Sequence, residues 1–144
     1  MAGKPHADAR EVEVPALAPP GGHYSHATVG AGLVFISGQL PITPDGTRLV
    51  NASFEAQTRQ VLANVEAALA ASGSSIQQLL QVRVYVDDIA NWPEFNTLYA
   101  AWAGTAKPAR AVVPTGPLHF GLKVEVEAVA LASAIALAGG SPQN

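Results

Sequence analysis

The sequence predicts a single α+β domain in which one β-sheet carries two amphipathic helices on one face. Three observations lead there. Hydrophobic residues make up 49% of the 144 positions, enough for a packed core. Apolar residues alternate in some segments and recur at helical spacing in others. The order of these segments is strands, helix, strand, helix, strands, which lets both helices cover a common sheet.

Met1 to Arg10 is polar and lacks the apolar stretch of a signal peptide, so residues 1–14 are set apart as an N-terminal extension. Ala18-Pro19-Pro20-Gly21-Gly22 is a turn-rich entry segment. Leu33 to Ile36 is a short apolar run between Gly32 and Gly38, the signal of a buried strand. Pro41 to Gly46 then forms a loop. A helix follows from Ser53, its predicted N-cap, to Gly73, its predicted stop. Phe54, Val61, Leu62, Val65, Ala68 and Leu69 form its apolar stripe, and Glu55 and Arg59 pair at i,i+4.

Leu80 to Asp87 alternates, with Leu80, Val82, Val84 and Val86 expected on the core face. Asn91 is expected to open the second helix with an Asn91-x-x-Glu94 capping box, and Phe95, Leu98, Tyr99 and Trp102 to form its stripe. Ala111 to Pro114 reads as a short strand and Leu122 to Leu131 as the longest one. Ala128 to Ala138 is apolar but too short to span a bilayer, and Gly139 to Pro142 reads as a loose tail. One domain is therefore expected over residues 15–132, with a C-terminal tail at 133–144.

Charge bounds the function. The net charge of −3 and eight scattered Lys and Arg residues argue against a nucleic-acid surface. Absence of cysteine removes disulfides, thiolate metal sites and a thiol nucleophile, and fits a cytoplasmic protein. On the sheet face away from the helices, Tyr85, Val129 and Leu131 mix with Arg83, Lys123, Glu125 and Glu127. Such a face suits contact with another subunit, so a closed oligomer is expected.

The most suggestive chemistry lies in Pro108-Ala109-Arg110 and Lys123-Val124-Glu125-Val126-Glu127. They put an arginine, a planar fork for a carboxylate, and a carboxylate able to orient water on what read as neighbouring strands. An ordinary cross-strand ion pair competes with that reading. Other chemistries lack support. His23 and His26 have no nearby third ligand, and His6 and His119 are distant, so no metal is expected. Ser37 follows an apolar run without a G-x-S-x-G elbow, and no phosphate-binding glycine motif follows a strand.

The segments YSHATVGAGLVFISGQLPI (from Tyr24), QTRQVLANVEAAL, VRVYVDDIANWPEFNTLYAAW and PARAVV…KVEVEAVA together resemble the RidA/YjgF family of reactive-intermediate deaminases over Tyr24 to Leu131. The resemblance implies a chorismate-mutase-like fold and a homotrimer whose sheets form a central barrel, with clefts between subunits. It implies hydrolysis of 2-imino acids, the tautomers of enamines, to 2-keto acids and ammonia without a cofactor. By position, Arg110 matches the carboxylate clamp and Glu125 the residue that positions water. Tyr24 and Asn96 match cleft residues, and Ser37-Gly38 matches the turn bordering the pocket. Two departures stand out: Val112 replaces a common Cys or Thr, and Pro117-Leu118-His119 replaces a basic residue followed by Leu-Pro. The pocket rim is therefore expected to differ, with His119 either entering it or facing solvent. Two rivals are a non-catalytic carboxylate-binding trimer and an endoribonuclease, the latter disfavoured by the acidic pI near 5.7.

Overall fold

Six strands and two helices build the domain in a computed structural model that describes residues 9–133. In chain order they are β1 (Arg10–Val12), β2 (Ala27–Gly30), β3 (Leu33–Gln39), α1 (Phe54–Ala71), β4 (Leu79–Val86), α2 (Trp92–Ala103), β5 (Ala109–Pro114) and β6 (Val124–Leu131). The strands form one sheet in the order β1-β2-β3-β6-β4-β5. All neighbours are antiparallel except β4 and β5, which the α2 crossover joins in parallel. The expected α+β class with two helices holds. The expectations for Ala134 to Ala138 and for the Gly139 to Pro142 tail fall outside the described residues.

Local chemistry explains the elements. Ala31 and Gly32 both take positive φ, 54° and 78°, giving the two-residue turn that suits the twist of the β2–β3 hairpin. The Ser53 side chain accepts the Ala56 N–H at 3.1 Å, capping α1 as expected. The six stripe residues from Phe54 to Leu69 are all buried, and Arg59 reaches Glu55 at 2.8 Å. One core joins both helices to the sheet. Val34, Ile36, Val82, Val84, Val124 and Val126 fill it from the strands, and Phe95 and Tyr99 from α2.

Several sequence expectations need correction. Arg10–Val12, assigned to the extension, is an edge strand paired with β2, and Val14 behind it is buried. On β4 the register shifts between Leu79 and Gln81, so Leu79 enters the core while Leu80 is 42% exposed. The capping box at Asn91 does not form. Ile89–Asn91 is a 3₁₀ turn capped by Asp88, whose carboxylate accepts the Ala90 N–H, so the chain is already turning when α2 begins. On α2 the deepest residues are Phe95, Tyr99 and Ala103, with Leu98 and Trp102 half-buried.

Among the described residues, no helix is long and apolar enough to cross a membrane. The face away from the helices carries Phe35 and Leu131, 46% and 45% exposed, beside Arg83, Tyr85, Glu125 and Glu127. Its charges are partly paired. Arg83 donates to Glu127 at 3.1 Å, and the Tyr85 hydroxyl donates to the same carboxylate at 2.9 Å.

Candidate functional site

Where β3 passes β6, one extra residue bulges between Ile36 and Gln39. Bulges commonly re-aim side chains beside a site. Here Ser37 is pulled toward the entry segment: its N–H donates to the His26 carbonyl at 2.9 Å and its hydroxyl to the Ser25 carbonyl at 2.6 Å. Gly38 is left facing Glu125 of β6. A Cβ at Gly38 would collide with a Glu125 carboxylate oxygen, and would lie 3.1 Å from its Cδ. Glycine is therefore the residue that makes room for this carboxylate.

The entry segment is fixed by side chains. The His26 ring meets the Ala18 carbonyl at 2.7 Å through Nε2 and the Gln39 amide at 3.2 Å through Nδ1. A proton on Nε2 satisfies both contacts, and the ring is thereby committed to the scaffold. Tyr24 packs edge-on to it, centroids 6.1 Å apart. Asn64 on α1 ties down the next loop, donating to the Leu40 and Ile42 carbonyls at 3.0 Å each. Gln57, fully buried on the same helix, accepts the Lys123 N–H at 2.9 Å and so fixes the approach to β6.

These segments enclose a cleft of about 740 Å³. Its lining includes Tyr24, Ser37, Gly38 and Glu125 from the sequence-derived set, with His119, Phe120, Arg48 and Glu127. Burial pushes the Glu125 carboxyl above the ordinary carboxylate range; nearby His119 pulls it back, and Glu127 adds to the rise. The result is a half-buried carboxylate with higher proton affinity than usual, which makes it a better proton acceptor than an exposed one. Among the described residues, no cluster of three or more His, Asp or Glu side chains is placed to hold a metal.

Arg110 and Asn96 lie elsewhere. β4 separates β5 from β6, so Arg110 and Glu125 are not on neighbouring strands. Arg110 stands opposite Val82 on the helix-covered face, its guanidinium carbon 4.8 Å from the centre of the Tyr99 ring. Glu125 stands opposite Tyr85 on the open face. The ordinary cross-strand ion pair exists, but it joins Arg83 to Glu127. Asn96 sits half-buried on α2, outside the cleft lining. Within one chain, the cleft thus gathers the carboxylate, the bulge and the tyrosine, and leaves the arginine on the other side of the sheet.

Sequence reasoning passed over Arg48 and Phe120. The Arg48 guanidinium carbon lies 3.6 Å from the centre of the Phe120 ring. The only available signal was an aromatic residue followed by Gly121 after two prolines, the mark of an irregular turn. Phe120 takes a left-handed φ of 62° there.

Comparison with known proteins places this geometry. Residues 15–132 match the family described as Endoribonuclease L-PSP. The chain is 41% identical over 107 residues to Protein HMF1 of Saccharomyces cerevisiae, covering 74% of this chain and 82% of that protein. It is 34% identical over 109 residues to the chloroplastic Reactive Intermediate Deaminase A of Arabidopsis thaliana, covering 76% of this chain and 58% of that one. The crystal structure of Escherichia coli TdcF with bound serine superposes with a TM-score of 0.79 at 27% identity, over 86% of this chain and 99% of that one. Fold, matched span and sequence identity agree: the chain belongs to the Endoribonuclease L-PSP family, the RidA/YjgF proteins.

Proposed function

We propose that this protein hydrolyses 2-imino acids, with their enamine tautomers, to 2-oxo acids and ammonia. The observation that carries the reading is the half-buried Glu125 carboxylate, seated over Gly38 in a cleft large enough for an amino-acid-sized ligand. An imine carbon is electrophilic already, so a held water and a proton acceptor supply most of what its hydrolysis needs. Glu125 takes a proton from the attacking water as the C–O bond forms, and the imine nitrogen is protonated. In the resulting carbinolamine the hydroxyl proton passes by way of Glu125 to the amine nitrogen, the C–N bond breaks, and ammonia leaves the 2-oxo acid. Two relatives support the substrate class, one named as a reactive-intermediate deaminase and one holding serine, an α-amino acid.

In this reading Arg110 clamps the substrate carboxylate. Its position across the sheet from Glu125 requires the arginine of a neighbouring copy to complete each cleft, in a cytoplasmic homotrimer with three clefts. The mixed apolar and charged open face is the natural surface for that assembly. Asn96, on the helix that also carries Tyr99 beneath Arg110, would border the same arginine.

The test is a competition assay. An amino-acid oxidase generates imines from a panel of amino acids, and semicarbazide traps what the protein does not hydrolyse. Wild type should suppress semicarbazone formation, whereas Arg110→Ala and Glu125→Gln should not. Wild-type protein that leaves trapping unchanged across the panel refutes the reading. RNA cleavage serves as the control for the family's other description. The two carboxylates in the cleft oppose a phosphate backbone there.

A further inference from the structure

We propose that Arg48 is a specificity determinant that selects imino acids bearing a second carboxylate, in the class formed from aspartate or glutamate. This rests on the deaminase reading and names its substrate. Among the described residues, Arg48 is the sole Lys or Arg in the lining of the cleft. It makes no ion pair among the described residues, although Glu125 and Glu127 line the same space. Its guanidinium lies instead on the Phe120 ring, a position that orients the fork while leaving its donors open. The protein holds that ring out by a left-handed φ at Phe120, a conformation rare for a bulky residue.

Contacts along this wall set its polarity. His119 acts electrostatically on Glu125, and its ring lies 5.8 Å from Phe120, on which Arg48 rests. The wall therefore carries both the Glu125 carboxylate and the Arg48 cation. A short apolar imino acid would leave that cation unanswered. A ligand whose side chain ends in a carboxylate offers Arg48 the two oxygens that a guanidinium fork pairs with. Without that cation, the carboxylates of Glu125 and Glu127 would repel such a side chain.

Calorimetric binding of the stable 2-oxo acids tests this without turnover. Wild type should bind 2-oxoglutarate at least about tenfold more tightly than 2-oxobutyrate, the scale of one charge-assisted pair. Arg48→Ala should erase the preference, weakening 2-oxoglutarate about tenfold relative to 2-oxobutyrate; Arg48→Lys should keep part of it. Arg48 is exposed and outside the core, so loss of fold is not expected to obscure the result. Equal wild-type affinities overturn the proposal, and so does a preference that survives Arg48→Ala. Tighter binding of phenylpyruvate than of 2-oxoglutarate also overturns it, since Phe120 would then be reading an aromatic ring.

The trapping assay separates the two claims. If imines are hydrolysed but Arg48→Ala handles those from aspartate and glutamate as wild type does, the deaminase reading stands and the assignment to Arg48 fails. If no imine is hydrolysed while Arg48-dependent binding of 2-oxoglutarate persists, the deaminase reading fails and Arg48 remains a carboxylate site.

Discussion

Replacing Gly38 with alanine puts a methyl group where the Glu125 carboxylate now lies. The new Cβ would collide with a carboxylate oxygen and stand 3.1 Å from Cδ and 3.4 Å from Cγ. Gly38 has no left-handed φ, so alanine fits its backbone without strain. The obstacle is the end of a flexible side chain, which can rotate away at about 0.5–1.5 kcal/mol. Alanine also recovers about 0.4–1 kcal/mol by restricting the unfolded chain. The two contributions nearly cancel, so Tm should move by only a few degrees. Activity behaves differently. Glu125 must leave its present position, and a displacement of about 1 Å from productive geometry can lower a rate roughly 100-fold. Thermal unfolding and the semicarbazide competition, run on one preparation of Gly38→Ala, read both quantities. A variant with wild-type turnover would show that the position of Glu125 is irrelevant to the chemistry. A loss of more than about 3 kcal/mol would show that Gly38 is needed for folding rather than for the site.

Glu125 also ties stability to pH. Its native carboxyl holds a proton more tightly than in the unfolded chain, so wild-type stability should fall as pH rises from the ordinary carboxylate range through the raised value, then level off. Glu125→Gln should remove that fall and be the more stable form at neutral pH, with the difference shrinking in acid; urea titrations at several pH values measure it. Wild-type turnover should rise with pH through the same window, because the water-activating form is the carboxylate. Asn64→Ala should cost about 1–3 kcal/mol, since it abandons two backbone carbonyls held at 3.0 Å, and should speed hydrogen exchange at residues 40–48. Phe95→Ala, which empties a fully buried aromatic site between α2 and the sheet, should cost about 3–5 kcal/mol in urea denaturation.

The legibility of each element in the sequence follows from the range of the forces that make it. Helix α1 was readable because its cap, stripe and terminating Gly73 lie within one stretch of chain. The Leu80 assignment failed because a bulge on β4 is a property of its pairing with β6, and alternation within β4 carries no trace of it. The three-residue β1 has no period to read. Glu125, Ser37 and Gly38 emerged as a group only through the family pattern; the reason Gly38 must be glycine appears once β3 lies against β6. Strand order was invisible in the same way. Arg110 and Glu125 look like neighbours along the chain, yet β4 intervenes and turns them to opposite faces. Arg48 was unreadable because its partner, Phe120, comes from a distant loop.

The buried amides of α1 carry a consequence for how this protein can change. Gln57 and Asn64 hold the chain on two sides of the cleft, and every bond they make across to it ends on backbone: the carbonyls of Leu40 and Ile42, and the N–H of Lys123. Bonds of that kind are blind to the side chains they support. The loop bearing Arg48 and the turn bearing His119 and Phe120 can therefore be rewritten residue by residue while their anchors persist. Glu125 sits on β6, inside the sheet, and keeps its place through such rewriting, although loss of His119 would raise its proton affinity further. The cleft wall and the placement of the Glu125 carboxylate are thus housed in parts of the molecule that can mutate separately, which offers a direct route to new ligands by altering two loops.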